Sequence, residues 1–216
     1  MTNTKEREGI ILIPDLSGFT EFVFTTKTHV GEYLTKQLLS VLIDANKKHF
    51  YISEIEGDAI LFYRYNKRPC HDCVMEVLER MQEAFNLKLS QLEKAFNTKI
   101  DMSLKFIVHH GKFSRYTIRD FKKLYGKPII EAHRLLKNEY AEHPSYILFT
   151  NSFLETSKKN KHRASKHSVT IPEVGVIQYL SKQLKFLSEN FSGIDINTLE
   201  SRFQRSNSYA NPDKLQ

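Results

Sequence analysis

After a polar opening from Met1 to Glu8, the chain turns abruptly apolar through Ile10, Ile11, Leu12, Ile13 and Pro14. A run with no alternation predicts a strand covered on both faces and central in its sheet. It ends in Asp15, a turn of small residues follows, and a helical pattern begins. Phe19, Phe22 and Val23, then Tyr33, Leu34, Leu38, Leu39, Leu42 and Ile43, recur at three- and four-residue steps. The polar stretch Thr25 to Gly31 divides this pattern into two helices and leaves His29 in a solvated loop. Phe50 to Ile55 and Ala59 to Tyr65 alternate as two strands around a tight turn at Glu56-Gly57-Asp58. Val74 to Phe96 carries a helical stripe of Val77, Leu78, Met81, Phe85, Leu89, Leu92 and Phe96, which reads as core.

The second half continues the mixture. Met102 to Val108 alternates as a strand and ends in His109-His110-Gly111; Lys112 to Ile118 forms another strand. Strand alternation sends the two histidines to opposite faces, one packed and one partly exposed, with neither a metal ligand. Lys127 to Leu136 has the spacing of a helix with Pro128 in its first turn. Tyr146 to Phe149 is a short strand, Asn151 to Ser157 a helix, Lys158 to Lys166 a basic solvated loop. Val169 to Leu180 is a hairpin broken near Pro172 and Gly175. Leu184 to Phe191 and Leu199 to Phe203 are short helical pieces, and the tail from Gln204 is polar and disordered. The expected organisation is a flexible N-terminus over residues 1–8, one domain over 9–182, a helical extension over 183–204 and a disordered tail over 205–216.

Composition narrows this picture in three ways. The 216 residues suffice for one well-buried core. No apolar run is long enough to cross a bilayer and no signal-peptide pattern opens the chain, so neither membrane nor secretion is expected. A net charge of +7 is spread along the chain without a nucleic-acid motif, which implies a mild preference for anions and no nucleic-acid partner. The two cysteines argue for a reducing cytoplasm and against a disulfide scaffold. They form Cys70-His71-Asp72-Cys73, two ligands where structural zinc wants four. A zinc shared between two copies and a redox pair are both open; two reduced thiols at a helix start is the favoured reading.

The candidate chemistry lies where the first strand ends. Asp15 arrives at the end of a buried strand, and the next helix starts at the same place, turning free amides toward whatever the carboxylate holds. That combination suits a divalent cation bridging a carboxylate and a phosphorylated ligand. Asp58, at the hairpin turn, is the second acidic group. The strand ending in Asp-x-Ser-Gly-Phe-Thr, with a Gly-Asp hairpin about forty residues later, resembles the class III nucleotidyl cyclases, the adenylate and guanylate cyclase superfamily. The Lys127–Leu136 block and the strand ending in His-His-Gly extend the likeness over most of the chain, and it looks most like a divergent bacterial branch.

The resemblance implies an α+β fold with a ferredoxin-like βαβ core and extra strands, working as a homodimer whose sites combine residues of both chains. It implies a two-metal site of Mg2+ or Mn2+ held by Asp15, Asp58 and the Leu16 carbonyl, and a nucleoside triphosphate cradled by the amides of Ser17, Gly18, Phe19 and Thr20. Arg134 stands where the family has its transition-state arginine. The implied reaction is attack of the ribose 3′-hydroxyl on the α-phosphorus, with loss of pyrophosphate. Three positions depart from the family. Ile130 replaces the asparagine that holds the ribose. Glu54 matches the guanine-reading position, but Lys123 fits neither base pattern, and an ion pair between them would leave no group to read a purine. No lysine falls at the triphosphate position, Lys161 and Lys166 being only nearby. A degenerate, cyclase-like binding module is therefore the alternative to an enzyme.

Overall fold

In the computed structural model, residues 5–136, 145–157, 166–171 and 175–183 are described. The apolar run becomes β1 (Arg7–Ser17), with Ile10 to Leu16 buried. It lies inside the sheet because it pairs on both sides, antiparallel to β3 (Ala59–Tyr65) and to β4 (Ser103–Ile118). The edge strand β2 (Tyr51–Glu56) pairs with β3. On the other side β4 runs parallel to β6 (Tyr146–Thr150), followed by β8 (Gly175–Gln183) and β7 (Lys166–Ile171), giving the order β2-β3-β1-β4-β6-β8-β7. The far half of β4 also forms a hairpin with β5 (Phe121–Tyr125).

The first four strands of the path, with the helices between them, form the expected ferredoxin-like core. The helical pattern after Asp15 resolves into α1 (Phe19–Thr25) and α2 (Thr28–Ala45), and α2 packs against α3 (His71–Phe96). The break is shorter than expected: His29 and Gly31 belong to the first turn of α2, so His29 is an exposed helical residue. The other face of the sheet receives α4 (Lys127–Leu136), whose Ala132 and Leu135 pack with Ile11, Ile13, Ile107 and Leu148. A short α5 (Asn151–Thr156) follows β6, and its Phe153 stacks on Phe149 at a centroid separation of 5.5 Å.

Three further expectations differ from the structure. First, the two strands foreseen around His109-His110-Gly111 are one continuous strand, paired with β1 from Ser103 to Phe113 without interruption. Gly111 serves close packing instead of a turn: a Cβ there would lie 2.4 Å from the Pro128 ring of α4. Second, His110 is as buried as His109, because α4 covers one face of β4 and the α3/α5 side covers the other. Third, Cys70 and Cys73 are joined as a disulfide at the start of α3 rather than reduced, which removes the argument from free thiols about compartment. No helix among the described residues is long and apolar enough to cross a membrane. The extension and tail expected over 183–216 lie outside the described residues except Gln183, which ends β8, as do the basic loop over 158–165 and with it Lys161; Lys166 opens β7.

Candidate functional site

The antiparallel register of β1 with β3 sets Asp15 opposite Ala59, one residue past the turn that carries Asp58. That turn needs Gly57, which has a positive φ of 59°. The amide of Leu16 donates to the carbonyl of Asp58 at 3.3 Å, tying the strand end to the hairpin. The two carboxylates are close enough to feel each other. Burial pushes the Asp58 carboxyl up to about 6, and the charge of Asp15 adds to the rise. Asp15 itself is buried and has a partner: Nζ of Lys105, directly across on β4, lies 2.7 Å from its Oδ2. The same ammonium donates to the carbonyl of Leu136 in α4 at 3.2 Å.

Beyond Asp15 the chain enters α1 through Gly18, whose φ of 87° and whose position, 2.4 Å from the Asp101 carbonyl for any added Cβ, admit only glycine. Ser17 and Phe19 are half-buried here, Gly18 and Thr20 exposed. A cleft of about 460 Å³ opens beside Gly18, lined by Phe22, Lys27, Lys99 and Asp101 among others. A second cleft, of about 400 Å³, lies near Glu8, Lys67, Arg68 and His110. Neither includes Asp15 or Asp58.

The remaining candidates divide. Glu54 on β2 and Lys123 on β5 form the ion pair that the sequence suggested, Glu54 holding the lysine's proton more firmly than usual. Arg134 is half-buried on α4, and Ile130, one turn earlier on that helix, is 54% exposed. The helix is fixed from its inner side. His109 Nε2 meets Glu131 Oε2 at 2.9 Å, and His109 Nδ1 meets Thr150 Oγ1 at 2.9 Å. The His109 bond, ahead of the nearby Lys127, holds the Glu131 carboxyl below its usual range. Lys105 is a further member of the site that the motifs do not point to. It lies between Leu104 and Phe106 on β4, and nothing local in the sequence ties it to Asp15.

The donor chemistry at Asp15 and Asp58 is that of hard carboxylate oxygens, suited to Mg2+ or Mn2+, which take one or two carboxylates and fill their coordination from phosphates and water. No third His, Cys, Asp or Glu side chain joins them among the described residues. The fit is thus to a cation that arrives with its ligand, not to a metal caged by protein alone.

A family model described as a protein of unknown function (DUF2652) matches residues 35–145. The chain belongs to this family. A relative of this DUF2652 chain, the uncharacterized protein Rv2561/Rv2562 of Mycobacterium tuberculosis, is 29% identical over 113 residues, 48% of this chain and 51% of the relative. The chain thus spans about half the length of that curated relative. Among solved structures, the guanylyl cyclase Cya2 is 17% identical with a TM-score of 0.66, over 86% of this chain and 96% of that one. The adenylyl cyclase CyaB from P. aeruginosa is 14% identical with a TM-score of 0.63, over 85% and 97%. The guanylate cyclase domain of RhGC from Catenaria anguillulae, in complex with GTP, is 16% identical with a TM-score of 0.60, over 84% and 100%. This DUF2652 chain therefore has the fold of class III adenylyl and guanylyl cyclase catalytic domains.

Proposed function

We propose that this protein binds a nucleoside triphosphate together with Mg2+ or Mn2+ at Asp15 and Asp58. The observation that carries the reading is the pair itself: two partly buried carboxylates brought together at the end of β1, with Lys105 bonded to Asp15 and its charge felt by Asp58. Two such groups oppose each other's ionisation unless a cation accompanies them. When bound, a divalent cation there would neutralise phosphate charge and bring the ligand's reacting oxygen to low pKa. The chain's own contributions are the carboxylates of Asp15 and Asp58, the Leu16 carbonyl, and the backbone from Ser17 to Thr20.

A homodimer completes this reading. Exposed apolar side chains on β2, β4, β5 and α4, including Ile55 (51%), Ile118 (55%), Phe121 (69%), Tyr125 (69%) and Ile130 (54%), favour a second copy as their cover. Arg134 on the same helix would then serve the neighbour's site. Cyclisation to a 3′,5′-cyclic nucleotide with release of pyrophosphate is the reaction this arrangement would carry, with Arg134 stabilising charge on the phosphorus under attack. The second reading, a binding module without turnover, is favoured by Ile130, which offers the ribose no hydrogen bond, and by the Glu54–Lys123 pair, which engages both base-reading positions.

The deciding experiment incubates the purified protein with each of the four NTPs and Mn2+ and resolves products by mass. A cyclic product lost in Asp15→Ala and Asp58→Ala supports the enzyme. Thermal stabilisation by an NTP without product supports the module. Neither product nor stabilisation removes the nucleotide reading and leaves the fold.

A further inference from the structure

Lys105 sits where a ligand cation would have to compete. Its ammonium is bonded to the carboxylate proposed as a metal ligand, and both side chains are largely shielded from water, at 17% and 13% exposure. Water and salt therefore screen the pair poorly, and the ammonium offsets about one of the two carboxylate charges. It is also anchored a second time, to the Leu136 carbonyl on the helix that carries Arg134. An ammonium has three donor hydrogens and no acceptor, so losing one partner does not free it from the other.

We propose that Lys105 is a built-in competitor for the cation site: it holds Asp15 while no divalent ion is present and yields that oxygen when one binds. The inference rests on the metal reading of Asp15 and Asp58, and it adds how that site is controlled. Lys105 gives the Asp15 carboxylate a partner at 2.7 Å, where an unpaired buried carboxylate would be costly. It also sets a threshold, because a free metal ion must displace the ammonium from Asp15 or share the carboxylate with a like charge. A metal–triphosphate complex, which brings its own negative charge, meets a lower barrier than the metal alone. The Leu136 bond gives this exchange a direction. Released from Asp15, the ammonium stays tethered to α4, so occupation of the site is felt by the helix bearing Arg134.

The test is Mn2+ binding by the full chain, read from the loss of the free-ion electron paramagnetic resonance signal, with no nucleotide and no turnover involved. Wild type is compared with Lys105→Met, Lys105→Gln, Lys105→Arg, Asp15→Asn and Lys112→Met, each checked for folding by thermal melting. Lys105→Gln keeps a donor for Leu136 and covers the case in which Lys105→Met does not fold. The expected result is Mn2+ binding at least roughly tenfold tighter in Lys105→Met or Lys105→Gln. Lys105→Arg should stay near wild type, and Lys112→Met, which removes an equal charge at an exposed position, should change nothing. Binding by Lys105→Gln where wild type shows none supports the proposal most directly. If wild type binds Mn2+, Asp15→Asn abolishes it and the neutral Lys105 variants are no tighter, competition is overturned while the metal site stands. If neither wild type nor the neutral variants bind, the metal reading falls and takes the competitor with it.

Discussion

Two polar clusters lie on the α4 face of the same sheet, and they are built on opposite terms. Around His109 the groups are matched within the chain. Glu131 receives His109 and lies 3.5 Å from Lys127, while His109 meets Thr150 and Ser152 on its other nitrogen. Around Asp15 the groups are mismatched among the described residues: Asp15 and Asp58 share Lys105, and Asp58 is driven toward its neutral form. A matched buried network fixes a helix to a sheet; a mismatched one waits for charge from outside. Position in the fold does not separate the two clusters. Their internal accounts do.

The largest effect should come from breaking the matched cluster. Glu131→Ala leaves His109 buried without its carboxylate and should cost about 3 kcal/mol of stability in urea unfolding at neutral pH. Glu131 is held below its usual range by His109, so its contribution is complete above the unshifted value of 4.5. It is lost as pH falls through the lower native value. The gap between wild type and Glu131→Ala should therefore close in acid. A constant gap down to the acid transition would mean that the carboxylate's charge has no part in it.

The mismatched cluster should respond with opposite signs at its two carboxylates, measured with the metal chelated. Asp15→Asn strands the ammonium of Lys105 beside a neutral amide and should cost about 2 kcal/mol. Asp58→Asn removes a charge that burial and Asp15 both oppose, and should leave stability unchanged or raise it by about 1 kcal/mol. The sign follows from the raised native value: the penalty is complete above about 6, shrinks as pH falls below it and is gone below the unfolded value of 3.8. Any gain should thus be largest at pH 7.5, smaller at pH 5 and absent only below about 3.8. Equal losses from both substitutions would make this cluster another matched network and dissolve the contrast.

How legible this was depends on whether a residue's role is written locally. Ile10 to Pro14 is covered on both faces, and that writes an uninterrupted apolar run which could be read at once. The Gly57-Asp58 turn is equally local. Gly111 is not: a glycine permits a turn and also permits a close neighbour, and only Pro128, on another element, decides between them. One of His109 and His110 is expected to be partly exposed because alternation gives opposite faces without saying that both are covered. Cys-x-x-Cys spacing is the same for thiols, a shared zinc or a disulfide, so the bond was not written there. Lys105 was invisible because its partner comes from strand register, Asp15 opposite Lys105, and register is set by the whole sheet. Asp15 and Asp58 could be named as candidates, whereas the charge imbalance between them and Lys105 could not.

The smallest expected effect lies between the two extremes, at Glu54 and Lys123. This pair is matched like the His109 cluster but more exposed, at 27% and 42%, so either alanine substitution should change stability by less than about 1 kcal/mol. That difference should fade in high salt. Its interest is in what the substitution releases. Lys123→Ala frees the Glu54 carboxylate, an acceptor suited to the N–H groups of a guanine edge, while Glu54→Ala frees only an ammonium, which can accept nothing. If nucleotide binds beside this pair, Lys123→Ala should acquire a preference for GTP over ATP in competition binding, and Glu54→Ala should acquire none. Equal competition by both nucleotides in Lys123→Ala would make the pair a strand-edge ion bridge. The mismatch at Asp15 and Asp58 would then be the feature of this face, among the described residues, that calls for a ligand.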